Sequence, residues 1–216
     1  MMSEVQTQPS AADVFRAAYE NRYTWDADFP GFEADFTLVL NDETHTGTAA
    51  ILKDLSVRVE TADAKAQEWL YNQLKDVVVH RKRSSFEAAH SKHTFSFDGE
   101  ADETGALPVT VGGDAMGSNY KIRDNQVVQV SRTMGRMAFT INHLAKIDTS
   151  TGYLSTAYNA VFRNAQSGEV TAQRRFEDTY EEYEGYWVMT RQVVHSREGD
   201  TSTVTEITFT NLRPVQ

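Results

Sequence analysis

The sequence predicts an α+β protein in which a large, curved antiparallel β-sheet, an open half-barrel, wraps around two or three helices. Three observations predict it. The stretch from Val14 to Leu40 reads as a helix, an aromatic corner and a strand in direct succession, so a helix turns at once onto a sheet. From Thr94 to the C-terminus, turn signals punctuate runs rich in Val, Ile, Thr, Tyr and Phe. With the earlier strands the total is roughly nine to eleven, and a strongly twisted sheet of that size curls or closes.

The first helix follows from Val14, Phe15, Ala18, Tyr19 and Arg22, whose three- and four-residue steps put them on one side. Ser10 is its expected N-cap, with Asp13 placed where a carboxylate favours a helix N-terminus. Tyr23, Trp25 and Phe29 lead to Pro30-Gly31, which turns the chain. Phe32, Ala34, Phe36, Leu38 and Leu40 then alternate with Glu33, Asp35, Thr37 and Val39, the period of a half-buried strand. Beyond a turn at Asn41-Asp42, strands are expected over 44–53 and 55–60, the second with Leu55, Val57 and Val59 on one face. A second helix starts at 61–63 and buries a stripe of Ala66, Trp69, Leu70, Gln73, Leu74, Val77 and Val78. Ser84 to Glu87 fits a capping box with Ser84 as N-cap, which predicts a short third helix. The last three strands, 169–183, 186–197 and 202–212, are joined by short turns and should pair as a meander. Residues 1–9 read as a disordered tail and 10–216 as one domain, since neither a repeat nor a linker interrupts them.

Composition excludes several functions. The chain of 216 residues contains no cysteine, so disulfides, thiolate metal sites and cysteine nucleophiles are ruled out. A net charge of -10 and a pI near 5.0 argue against general nucleic-acid binding, which needs a basic face. They also disfavour an anionic membrane surface, except where positive charge is locally concentrated. No apolar run approaches the ~20 residues that span a bilayer. The N-terminus lacks the basic region and apolar core of a secretory signal. The nucleophile-elbow, zinc-protease and Walker signatures are missing.

Five constellations are candidates for chemistry. Glu87, His90 and His93 recur at three-residue steps, and a carboxylate with two imidazoles can hold a transition metal. They are weak candidates, the alternative being an exposed polar helix end. Arg81, Lys82 and Arg83, after His80, form a basic run at a helix C-terminus. The macrodipole explains such a run, and an anion or acidic-partner patch is the functional alternative. The glycine-rich stretch 112–119 lacks the helix that a phosphate loop needs and reads as a wide hairpin loop or bulge. Gly135, between Met134 and Arg136, suggests another bulge or a close backbone approach, with Arg132 and Arg136 able to face a pocket mouth. The tract 176–183 reads as a solvent-facing strand at a sheet edge, where charge deters aggregation. Finally, the chain carries 11 Phe, 9 Tyr and 3 Trp. Tyr19, Tyr23, Trp25, Phe29 and Phe32 either form the helix–sheet core or line a pocket, and the need to fill a concave face favours core.

The blocks FRAAYENRYTWDADFPGF, YNQLKDVVVHRKRSSFEAAH, GGDAMGSNYKIR, QVSRTMGRMAF, FEDTYEEY and GYWVMTRQVVHS resemble a cyanobacterial and chloroplast family of proteins of unknown function. That resemblance covers nearly the whole chain after about residue 11. It implies a photosynthetic source, and so a cyanobacterial cytoplasm or plastid stroma. The order helix, strands, helix and long meander is also similar to the lipoprotein-localisation (LolA/LolB-like) half-barrel, in which a curved sheet wraps helices around an apolar cavity.

The expectation is therefore a non-enzymatic binding protein holding an apolar or amphipathic ligand, such as a lipid, terpenoid or pigment, on the concave face. Its expected site is Tyr19, Arg22, Tyr23, Trp25, Arg132, Met134 and Arg136, with an arginine orienting an anionic group. No cofactor is strongly implied. The alternatives are an assembly factor that docks a protein partner of the photosynthetic apparatus and, third, a metal-dependent enzyme using His90 and His93.

Overall fold

The computed structural model describes residues 8–113 and 117–216. Three helices lie among them: α1 (Ala11–Glu20), α2 (Ala64–Arg81) and α3 (Phe86–His90). The N-terminal strands are β1 (Phe32–Leu40), β2 (Glu43–Ile51) and β3 (Val57–Thr61). Between α3 and the middle of the chain come β4 (His93–Phe97), β5 (Leu107–Gly113), β6 (Ser118–Arg123) and β7 (Gln126–Met134). The long strands are β8 (Met137–Thr149), β9 (Gly152–Asn164), β10 (Val170–Tyr183), β11 (Tyr186–Glu198) and β12 (Thr201–Arg213). They make a 12-stranded antiparallel sheet in the order β3-β2-β1-β12-β11-β10-β9-β8-β7-β6-β5-β4, an open half-barrel. Every neighbouring pair is consecutive in sequence except β1 with β12, so the N-terminal hairpins are docked onto the last strand. Both edge strands are only five residues long, which limits edge-to-edge pairing with other chains.

Two cores form on the same face of the sheet, one near each end. On α2, Ala66, Leu70, Leu74 and Val78 are buried against Phe36, Val188, Ile207 and Phe209. At the other end Ala11, Phe15 and Ala18 of α1 pack with Val109, Val111 and Ile122, and α3 adds Phe86. The α1 capping box is present, with Ser10 Oγ accepting from the Asp13 N–H. Helix α1 thus sits far from β1, the strand it precedes, and the segment 21–31 carries the chain across one end of the concavity. Tyr23 N–H donates to the Tyr153 carbonyl and Tyr153 N–H to the Asn21 carbonyl, each at 2.9 Å. Glycine at 152 permits this approach, because a Cβ there would lie 2.5 Å from the Asn21 oxygen. Trp25 locks the other half of the crossover. Its N–H donates to the Arg81 carbonyl at 2.7 Å, its indole N–H donates to the Trp187 carbonyl, and its ring stacks on Phe29 at 4.1 Å.

Several expectations are corrected. Twelve strands exceed the expected number because 93–134 holds four short ones. Leu55 does not share the β3 face; it lies before the strand in a turn, with φ 66°. The α3 cap is Ser85, not Ser84, so Glu87 is one position too early to close a capping box. Gly135 sits at the tip of the β7–β8 hairpin, between the paired Met134 and Met137, and a Cβ there would meet nothing within 4 Å. It is neither a bulge nor a close approach. Strand β10 is no edge, since it is paired on both sides. The stretch 112–119 connects β5 to β6, but 114–116 lie outside the described residues, as do 1–7 of the expected tail.

Candidate binding trough

The helix-bearing face can be followed across the sheet from the strand registers. Arg132, Phe139 and Phe162 pair in one row, and Val130, Ile141, Ala160 and Arg174 in the next. His143, Tyr158, Phe176 and Val194 make a third row, and Asp178, Gln192 and Ile207 a fourth. The fourth row enters the α2 core through Ile207, while Phe139, Ile141, Tyr158, Phe162 and Phe176 belong to neither buried cluster. These five are half-buried. Their rings contact one another: Tyr158 stacks on Phe176 at 4.6 Å, Phe139 lies 6.3 Å from Phe162, and the Arg174 guanidinium sits 5.3 Å over Phe162. The result is an apolar, aromatic trough between two helix-covered patches.

One end of the trough is polar. Arg81, the last residue of α2, donates from one terminal nitrogen to the Tyr180 hydroxyl at 3.3 Å and from the other to the Tyr23 carbonyl at 3.5 Å. Tyr180 in turn donates to Asp178 at 3.3 Å, and the Gln192 amide donates to the other Asp178 oxygen at 2.8 Å. Burial pushes the Asp178 carboxyl up to about 6 against those two hydrogen bonds, and pushes Tyr180 up to about 12. Burial, with Asp178 and Tyr180 alongside, also raises Tyr158. Across the concavity His80 is held down at about 4 by burial and by Arg81 and Arg22. His143, bonded to Ser155 at 2.8 Å, is held at about 4 by burial and by His80. Among the described residues the buried Arg81 Nε and Gln192 Oε1 have no hydrogen-bond partner.

The structure distributes the expected site residues widely. Arg22 reaches the polar end, stacked 4.0 Å over Tyr19. Tyr19 itself packs on the α1 core. Tyr23 and Trp25 are core side chains at 4% and 2% exposure, closed to a ligand. Arg132 lies on the trough face and donates to Ser118 Oγ at 2.8 Å. Met134 and Arg136 stand exposed at the β7–β8 tip, at the opposite end. The expected basic patch is split: Arg81 turns inward, Lys82 caps α2, and Arg83 donates to the Thr24 hydroxyl at 3.0 Å. His90 and His93 do meet, Nδ1 to Nδ1 at 2.8 Å, but Glu87 is drawn away into an ion pair with Arg16 at 2.8 Å. Among the described residues no group of three His, Asp or Glu is placed to hold a metal ion. Asp178, Tyr180, Gln192, Tyr158 and His143 are not singled out by the sequence: 176, 178 and 180 share a face by parity, but nothing in the acidic tract marks that face as inward. An open groove of about 540 Å³ lies on the opposite face beside Asn159, Arg175, His195 and Val204. Its Arg175 is joined to Glu177 at 3.0 Å.

No helix among the described residues is long and apolar enough to cross a membrane. No curated protein matches the chain. Among solved structures, a domain described as an outer membrane lipoprotein-sorting protein's, from Vibrio parahaemolyticus, aligns at 12% identity and TM-score 0.38, covering 94% of this chain and 92% of that one. A chain of the Pseudomonas aeruginosa MucA/MucB complex aligns at 13% identity and TM-score 0.25, covering 94% of this chain and 98% of that one. The model of one protein family matches residues 6–215, and the chain therefore belongs to the family of proteins of unknown function DUF3386.

Proposed function

We propose that this protein is a non-enzymatic binding protein that holds an apolar or amphipathic ligand in the trough between its two helix-covered cores. The observation that carries the reading is the uncovered aromatic stretch of Phe139, Ile141, Tyr158, Phe162 and Phe176. Apolar surface left open in a concave face, with a few convergent polar groups at one end, is the usual make-up of a small-molecule site. The test is titration with a fluorescent apolar probe such as N-phenylnaphthylamine. Saturable, near-stoichiometric binding that Phe162→Ser and Ile141→Ser each weaken supports the reading. Non-saturable binding, or binding indifferent to both variants, sinks it. A protein partner seated on the same face is the second reading. It is favoured by exposed Met134, Met137 and Val170 at the hairpin tips beyond the trough, and it predicts a stable complex in place of probe binding.

A further inference from the structure

We propose that the polar end of the trough receives the anionic head of a long-chain amphiphile, with Arg81 and Arg22 as its cationic partners and the aromatic rows receiving its chain. This rests on the binding reading above. Neither arginine forms an ion pair among the described residues, whereas Arg58, Arg191 and Arg213 are each joined to a carboxylate within 2.8 Å. Arg81 is already positioned, by the Tyr180 hydroxyl and the Tyr23 carbonyl, yet its buried Nε donates to nothing. A donor left unmet in a buried place is costly, and an acceptor arriving with a ligand removes that cost. Arg22 is fixed by stacking on Tyr19 and by its Nε bond to the Tyr19 carbonyl at 3.0 Å, so its terminal nitrogens stay available. The Tyr23 carbonyl that Arg81 meets belongs to the residue after Arg22, so the crossover brings both arginines to this end of the trough.

The groups around that end reinforce the assignment. The Asp178 oxygens are engaged by Gln192 and Tyr180, with no hydrogen bond to either arginine. His80 and His143 contribute no lasting positive charge near neutrality, so the cationic character there belongs to the arginines. A planar carboxylate or a phosphate monoester suits guanidinium donors, which bind such oxygens in pairs. From His143 to Met137 the trough continues along β8 for seven residues, about 20 Å of strand, enough for a long alkyl chain.

The experiment titrates the full chain with hexadecanoate and with its methyl ester at pH 8, which share the alkyl chain and differ in whether the head is anionic. The wild type should bind the acid about tenfold or more tightly than the ester. Arg81→Met and Arg22→Met should each weaken the acid more than the ester, bringing that ratio towards one, and Arg81→Lys should keep part of the preference. Should Arg81→Met fail to fold, Arg22→Met, which alters the half-buried crossover and not the α2 core, makes the same comparison. Equal affinity for acid and ester in the wild type would overturn the head-group assignment alone. So would parallel loss of both ligands in the arginine variants. Failure to bind either ligand would overturn the assignment together with the binding reading beneath it.

Discussion

Phe162→Ala separates an open trough from a closed core more sharply than any other single change. Full burial of a phenylalanine side chain is worth about 1.5–3 kcal/mol, and its removal from a closed core costs about 3–5 kcal/mol because a cavity is left behind. Phe162 is only half-buried, in the stretch of the face between the two helix-covered cores, so its truncation enlarges an existing hollow and creates no new void. Half of the transfer value, plus the loss of Arg174 from above the ring, comes to roughly 1.3–2.5 kcal/mol. Leu70, with 0% exposure between α2 and the sheet, is the internal control, and Leu70→Ala should cost about 2–5 kcal/mol. Urea titrations of the three proteins, read as midpoint shifts at constant m-value, give both numbers. If Phe162→Ala costs 3 kcal/mol or more, the aromatic rows are sealed core and the trough does not exist.

Other outcomes follow from the same geometry. Gly47→Ala should destabilise by about 3 kcal/mol or more, since its Cβ would lie 2.0 Å from the Glu60 carbonyl oxygen. Gly135→Ala, open on all sides but at φ 61°, should cost only about 1–2 kcal/mol, and thermal unfolding of the pair checks both. Ser10→Ala should remove the α1 cap at a cost of about 1 kcal/mol, seen as faster hydrogen exchange in 11–20 before any change in α2. Acidification has a defined sign. His80, His90 and His143 are depressed to about 4, so they contribute stability that is present above pH 6.5 and is lost as the pH falls through 4. Asp178, raised to about 6, works the other way, contributing stability at low pH that is lost as the pH rises through 6. With three groups against one, stability should fall between pH 6.5 and 4, and His143→Asn should flatten that slope; a rise over the same range refutes the burial of the imidazoles.

Periodicity carried most of the fold. The three- and four-residue steps of α1, the alternation of β1 and the last three strands were all legible, because each follows from side chains that must face a core. The destination of α1 was not. Nothing local in 14–22 says that Phe15 will pack on Val109 and Val111, about a hundred residues away, in preference to the strand that follows at once. The site was less legible for a related reason. Asp178 and Tyr180 are acidic and polar residues in an acidic tract, and only the pairing of β10 with β9 and β11 shows that they point inward. Trp25 and Tyr23 misled in the opposite sense, since aromatic residues suit a pocket lining and a core equally well, and the crossover at 21–31 decides for core. The basic run is divided because the helix ends within it. Arg81 is the last helical residue and faces the sheet, whereas Lys82 and Arg83 follow the extended chain outwards.

The most direct measurement is native mass spectrometry of the protein purified from its own host, with organic extraction of whatever it carries. A discrete additional mass that extraction removes, and that Phe162→Ser protein lacks, is the predicted result. An unliganded mass in both proteins, from a sample in which the wild type also fails to bind hexadecanoate or its methyl ester, would contradict the trough as a binding site.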